Sequence, residues 1–575
     1  MKSFFRLTIL FVGVAFLFSS CSKKNEEGKM IPKNAMFVVQ LNAKSLKEKL
    51  TWEDIKQSYW YGQVYAHLQE EHGAQASQVK QILDNPENSG IDLNGSLVFF
   101  MAKNSGSNGE LVLEGNIKNG DDFGKFNKTF DSSGTIKKDG DLNMLTLHEK
   151  VIVAWNDKHF VYAFDAGEAT SKFNPMGNNS YNQSNTAPLV DKSVTLSSVC
   201  KNLFSLKSDS SLAGNEKFTN LLKENGDIHT WVNSEEIMKS STSLGMLGML
   251  KLDVFFKDNI STYTVNFDNG KIDITHKGYA GKEFSDFLKK YSGGNINTDM
   301  LKNIPSQNVL GVLAMNYKPE AIKELIKLIG VDGMLNMYTD KIGFNLDDFV
   351  KANKGDLTLA FTDLSMKNET SGDSTMPATF TKPDFNVLFS VSIGDKPSFQ
   401  KLIDAGKKIE GEMGRNDTSI AYGQNDKVFA ITNHQHFLND YLAGNANSKY
   451  DFIDKLSGHS VGLYIDIHKI LSAISTEKMD DPDHKQIMDA SLNLWNNIYV
   501  TTGDFKDDAL TGHTEINFID QSTNSLKQLN HYFDTIAKLE KEKQDKWKSE
   551  SHMDSTAVTT DSTMVPPPID TVGHK

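Results

Sequence analysis

Strict alternation of apolar and polar residues marks several segments of the chain. The runs ELVLEGNIK (110–118), KIDITHKGYA (271–280) and NVLFSVSIG (386–394) place every second side chain on one face of an extended strand. Turn residues separate such runs, as Asp268-Asn269-Gly270 does before KIDITHKGYA. Other stretches carry helical spacing. Trp60, Val64 and Leu68 fall on one helical face, as do Leu526, Leu529, Phe533, Ile536 and Leu539 within 525–547. Ser45 with Glu48 predicts a capping box ahead of LKEKL, and Pro319 suits the first turn of KPEAIKELIKLIG. Hairpin-connected strands with clustered helices predict an antiparallel α+β fold rather than alternating βαβ units. A transmembrane barrel is not expected, because helices interrupt the strands and no aromatic girdle repeats.

The patterns recur along the chain. Ile31-Pro32-Lys33-Asn34-Ala35 leads into MFVVQLN, and Ile304-Pro305-Ser306-Gln307-Asn308 leads into VLGVLAMN, 273 residues later. NGSLVFF at 94–100 parallels KGDLTLA at 354–360, Gly115-Asn116-Ile117 parallels Val391-Ser392-Ile393, and VIVAWNDKHF at 151–160 parallels VFAITNHQHF at 428–437. Thr230 to Asn233 parallels Leu463 to Asp466, and Ile260 to Phe267 parallels Ile498 to Phe505. Each match is short, but the order is the same and the changes in offset coincide with visible loops. A tandem duplication is therefore expected, each half a mainly antiparallel sheet with flanking helices. The first repeat spans 31–292 and the second 304–520, followed by a C-terminal helix at 521–548 and a disordered Ser/Thr/Asp-rich tail at 549–575.

The first thirty residues fix the expected compartment. Lys2 and Arg6 precede a twelve-residue apolar run, Leu7 to Phe18, and Ser19-Ser20 supplies small residues before Cys21. Residues 1–20 read as a secretory signal too short to remain as a spanning helix. A Cys after the small pair resembles the lipobox of bacterial lipoproteins. That resemblance implies cleavage before Cys21 and its diacylation, with acylation of the new amino terminus, so that 21–30 becomes a tether. Multiple acyl chains anchor far more firmly than one, since each buried CH₂ adds ~0.8 kcal/mol. Ser22 after the Cys implies the outer membrane by the sorting rule of Gram-negative lipoproteins.

Composition narrows the partners. The chain has 61 Lys plus Arg against 74 Asp plus Glu, a formal net charge of −13, and its only two Arg are Arg6 and Arg415. Nucleic-acid binding is not expected, because an acidic surface repels a phosphate backbone. Of the two cysteines, Cys21 is the expected lipid acceptor, so Cys200 in SSVCKNLF has no disulfide partner within the chain and reads as a buried structural thiol.

Candidate chemistry is sparse. The sequence contains no nucleophile elbow, phosphate-binding loop, zincin helix or paired Cys motif. His434 and His436 could offer two imidazoles to a metal but read as a solvent-facing turn, and no metal or other cofactor is expected. Asp480, Asp481, Asp483 and His484 around Pro482 read as a helix start. Tyr59, Trp60, Tyr61, Tyr65 and Trp52 could form an aromatic platform and read as core. The Met-rich run containing Met246, Leu247, Met249 and Leu250 is the candidate hydrophobic contact, adaptable if exposed.

Cys21 with its short tether, the IPKNAMFVVQLN opening and the duplicated α+β body together resemble an uncharacterised domain-of-unknown-function family of Gram-negative outer-membrane lipoproteins. The resemblance implies a location and transfers no catalytic residue. The expectation is a lipid-anchored envelope protein, a non-enzymatic binding or scaffolding module held to the membrane by the acyl chains on Cys21 and working with an envelope protein partner. A glycan hydrolase with dispersed carboxylates and an apolar-ligand or lipid carrier are the alternatives.

Overall fold

The structure is a computed structural model that describes residues 27–72, 80, 84–103, 109–147, 151–165, 192–240, 251–370, 379–412, 420–475 and 482–556. Among the described residues ten strands lie in the first half: β1 (Phe37–Leu41), β2 (Leu97–Ala102), β3 (Glu110–Asn116), β4 (Lys137–Asp139), β5 (Leu142–Leu147), β6 (Val151–Trp155), β7 (His159–Asp165), β8 (Ile228–Asn233), β9 (Ile260–Asp268) and β10 (Lys271–Tyr279). Eight lie in the second: β11 (Val309–Asn316), β12 (Asn353–Thr370), β13 (Thr379–Ile393), β14 (Ala421–Gln424), β15 (Val428–Thr432), β16 (Val461–Asp466), β17 (Trp495–Lys506) and β18 (Ala509–Phe518).

Among the described residues every strand pairing is antiparallel, and the pairs link into one continuous sheet. From one edge to the other the order is β4-β5-β6-β7-β3-β2-β1-β8-β9-β10-β18-β17-β16-β11-β12-β13-β15-β14. The fold is thus α+β with a large antiparallel sheet. The two halves share that sheet, joined where β10 pairs with β18 from Lys271↔Asn517 to Gly278↔Leu510.

Period two assigns the faces. Trp231 lies opposite Thr262, which lies opposite Lys277, while Tyr464 lies opposite Tyr499, opposite Glu515, opposite Asp273. Lys277 and Asp273 share one side of β10, so Trp231 and Tyr464 share one side of the sheet. Two cores stand on that side. Val38, Phe100, Val112 and Trp231 pack under the helices Lys192–Phe204 and Glu216–Leu221, with Cys200 and Phe218 fully buried. Val312, Ala360, Leu388 and Tyr464 pack under Gln435–Ala443 and Phe452–Leu456. The other side carries the aromatic core around Phe123, whose ring lies 5.0 Å from Phe160 and 5.5 Å from Trp155.

Local signals account for many of the ends. Pro319 opens the helix Pro319–Leu328, and Gly270 takes the positive φ of 68° that the β9–β10 turn requires. One expectation is corrected. Ser45 does not cap the helix Ala43–Lys49; Asn42 does, and Ser45 Oγ donates instead to the buried Asp227 at 2.5 Å. The capping box in this region belongs to Thr51 and Asp54.

The C-terminal helix runs Ser525–Thr556. It buries Leu526 and Leu539 but leaves Phe533 exposed. Trp60 Nε1 donates to its Asn530 Oδ1 at 3.0 Å, so the first-half helix Tyr59–His72 carries the last helix of the fold.

Candidate functional site

The two covered cores on one side leave the middle of the sheet between them. Strands β9, β10, β18 and β17 form its floor, and five inter-strand spacings of ~4.8 Å make the distance from β8 to β16 about 24 Å. Alternation puts Lys271, Asp273, Thr275 and Lys277 of β10 on that floor beside Asn517, Glu515, His513 and Thr511 of β18. The floor is polar although the cores at its flanks are apolar. A solvent-facing sheet surface needs that composition, while the opposite face of the same strands buries Ile272 and Phe518.

Ion pairs tie the floor to both walls. Lys277 Nζ lies 2.5 Å from Glu224 Oε1, and Thr264 Oγ1 donates to Glu224 Oε2 at 2.5 Å. The wall itself is pinned by His229, whose Nδ1 is 2.9 Å from Gln40 Oε1 and whose Nε2 is 3.1 Å from the Glu224 carbonyl. On the far side the charges are exchanged: Glu515 on the strand binds Lys455 on the wall, and Lys455 sits 4.3 Å over the Tyr499 ring. Across the junction, Lys271 Nζ lies 3.0 Å from Glu515 Oε2 and 3.4 Å from Asp273 Oδ2. His513 Nε2 is 2.8 Å from Asp273 Oδ2, and Asn517 Nδ2 donates to Glu515 Oε1 at 3.0 Å.

The floor holds one of its carboxyls ionised. Burial pushes the Glu515 carboxyl up, but hydrogen bonds from Lys455, Asn517 and Lys271 outweigh it and bring its pKa to about 2. A carboxylate held ionised in this way accepts hydrogen bonds and does not deliver a proton near neutrality. The Glu515 and Asp273 carboxyls stand directly opposite one another in register, and Lys271 bridges them.

The sequence candidates are dispersed. Cys21 and the hydrophobic-contact residues Met246, Leu247, Met249 and Leu250 lie outside the described residues. His434 Nδ1 faces Asn386 Oδ1 at 2.7 Å while His436 Nδ1 faces Asp440 at 2.8 Å, one turn along the helix, so the two imidazoles serve different partners. Among the described residues no group of three or more His, Cys, Asp or Glu could hold a metal ion. Asp480 and Asp481 lie outside the described residues, and Pro482 opens the helix Pro482–Leu494. Between that helix and Ser525–Thr556 runs a surface groove of about 580 Å³, lined by Asp489, Asn493, Lys527, His531 and Tyr532 among others. Trp52 and Tyr61 are buried core with their rings 5.5 Å apart, while Tyr59, Trp60 and Tyr65 are half-buried. Burial pushes the Cys200 thiol up to about 12, as expected of a structural cysteine.

Residues 28–526 match a family described as a domain of unknown function, DUF4836. The chain belongs to the DUF4836 family. For this DUF4836 protein no curated protein sequence is similar. One solved structure, of TP0453 in its crystal form IV, aligns over 43% of this chain and 80% of that chain at 9% identity, with a TM-score of 0.23. Among the described residues of the DUF4836 chain no helix is long and apolar enough to cross a membrane.

Proposed function

We propose that this DUF4836 protein is a lipid-anchored, non-enzymatic binding or scaffolding module of the cell envelope, and that the polar floor at the junction of its halves is the surface it presents. One observation carries the reading. The charged groups of the floor are mutually paired and fastened to both walls, which makes a preorganised polar surface on which Glu515 is held ionised. Glu515, held ionised there, does not supply the protonated carboxyl that the hydrolase alternative needs.

The anchor is part of the proposal. The described residues begin at Glu27, and Ile31 is fully buried, so five residues lie between Cys21 and the described body, six Cα-to-Cα steps. At ~3.5 Å per residue the reach is at most about 20 Å. An outer-membrane anchor at Cys21 therefore holds the body close to the lipid surface.

The body is also read as a tandem duplication, supported by strand register. Val98 faces Glu114 in the first half, and residues displaced by 260 and 276, Thr358 and Ser390, face each other in the second. Gly115 faces Phe160, and Val391 faces Phe429, displaced by 276 and 269. The turn Asn156-Asp157-Lys158 has its counterpart in Asn425-Asp426-Lys427: Asn156 Oδ1 accepts from the amides of Lys158 and His159, Asn425 Oδ1 from those of Lys427 and Val428. The counterpart of β15 is thus β7, displaced by 269, and not the segment 151–160 that the letters alone matched.

Two experiments test the proposal. Cys21→Ala is expected to release the protein from membranes, and unchanged fractionation would refute the anchor. A photoreactive amino acid at Thr275 on the floor is expected to give a discrete adduct in intact envelopes, whereas one at an exposed position such as Lys44 is not. Adducts from neither position, or equally from both, would count against the floor as the binding surface.

A further inference from the structure

The two ends of the sheet are finished differently. At the first, β6 is flanked by β7 on one side and by β5 on the other, and β5 is followed outward by β4. The outermost strand carries Lys137, Lys138 and Asp139, all exposed, with Asp139 paired to Lys201 at 2.6 Å. Charges of this kind blunt an edge against further pairing. At the second end, β14 pairs with β15 and with no other strand among the described residues. It carries no charge, and Ile420 and Tyr422 beside the edge are 49% and 50% exposed. The positions 269 residues earlier, Val151 and Val153, are half-buried and fully buried, because β5 covers them.

The open side of β14 has defined hydrogen-bonding groups. The Asn425 amide donates to the Val428 carbonyl at 3.0 Å, closing the β14–β15 turn. Alternation in an antiparallel pair then turns the amide and carbonyl of Gly423 toward β15 and those of Tyr422 and Gln424 outward. The Asn156 amide donates to the His159 carbonyl at 3.0 Å in the same way, and there the outward residues Val153 and Trp155 lie opposite Leu145 and Asn143 of β5.

We propose that the β14 edge is a docking site for an extended segment of a partner polypeptide, added antiparallel as β5 is added to β6, with apolar side chains alternating on both faces. The occupant's register rests on the duplication reading, while the open edge does not. β5 defines the chemistry. Its Leu145 and Leu147 join the core around Phe123, and its Leu142 and Met144 pack on the opposite side. At β14 the corresponding apolar wall is formed by Tyr422 and Phe429, rings 6.2 Å apart, with Phe399 5.6 Å beyond. Main-chain bonds supply affinity in strand addition, and alternate side-chain pockets supply selectivity.

The test uses a fluorescent peptide of residues 137–147 and the chain from Ser22 onward. Saturable binding by anisotropy is expected. Tyr422→Pro, which removes an outward amide but no bond to β15, is expected to weaken it at least tenfold with an unchanged circular dichroism spectrum. Tyr422→Thr, which keeps the amide, is expected to lose less. Disulfide trapping between Tyr422→Cys and the peptide with Cys at the Leu145 position tests the register. Trapping there supports both the edge and the repeat-derived geometry. Binding that is sensitive to Tyr422→Pro but traps only in another register keeps the edge and overturns the occupant geometry. Absence of binding, or binding indifferent to Tyr422→Pro, overturns the site. Concentration-dependent dimers abolished by Tyr422→Pro would overturn the assigned occupant, because a second copy would then fill the edge.

Discussion

Removing the Glu515 carboxylate tests the junction of the halves most directly. In Glu515→Ala the ammonium groups of Lys455 and Lys271 and the Asn517 amide lose their common acceptor. Hydrogen bonds to a charged group contribute ~1.5–3 kcal/mol each when buried. The Glu515 side chain is 13% exposed, but those of Lys271 and Lys455 are 32% and 48% exposed and recover hydration. Solvent screening therefore reduces the total to about 2 kcal/mol. Because Lys271 is in β10 and Glu515 in β18, a double-mutant cycle with Lys271→Met is expected to show a coupling of about 1 kcal/mol. The assay is the denaturant midpoint followed by circular dichroism, repeated across pH. A carboxyl held at about 2 in the fold, below its unfolded value of ~4.3, contributes stability that is complete above the unfolded pKa and lost as pH falls toward 2. The wild-type midpoint should therefore drop across that window more steeply than that of Glu515→Gln. Coincident acid limbs, or a Glu515→Ala midpoint equal to wild type, would refute the reasoning.

Three further outcomes are expected. Burial, with Glu27 nearby, pushes the Glu114 carboxyl up to about 8, so the fold loses stability as pH rises from the ordinary carboxylate range to about 8; Glu114→Gln should raise the denaturation midpoint at pH 8 and leave it unchanged near pH 4, read by urea titration at both. Phe123→Ala empties the centre of the aromatic core and should cost ~3–5 kcal/mol in the same titration, with a new apolar cavity detectable by xenon binding. In the chain from Ser22 onward, Cys200 should react with a thiol reagent at pH 8 only at the rate at which helix Lys192–Phe204 opens; reaction at the rate of a free thiol would contradict its burial.

Legibility in the sequence followed the range of the interaction. The runs 110–118, 271–280 and 386–394 became β3, β10 and the end of β13 because a period of two depends only on neighbours in the chain. Pro319 and the Asp268-Asn269-Gly270 turn were legible for the same reason. Ser45 was misread because its hydroxyl is taken by Asp227, 182 residues away, and no local pattern encodes that competition. The floor was invisible as a site, since Asp273 and Glu515 are 242 residues apart and meet only through the β10–β18 register. A partial signal was present: polar residues at every second position in both KIDITHK and TGHTEIN mark strands with one wet face. The edge at β14 needed the pairing map, because Ala421–Gln424 is too short to stand out by periodicity.

The β10–β18 pairing also has a consequence in time. Tyr279 ends β10, and Ala509, the first residue of its partner strand, is made 230 residues later. At ~5–20 residues per second the ribosome needs roughly 10–50 s to supply it. Throughout that interval the first half has a nine-residue strand with one bare side, long enough to recruit another nascent chain. Lys271 and Asp273 on that strand act as gatekeepers during the wait, because their charges disfavour pairing with an uncharged strand, and Lys271 meets Glu515 only once β18 has been made. The residues that fasten the finished junction are thus the same ones that keep it from closing on the wrong molecule.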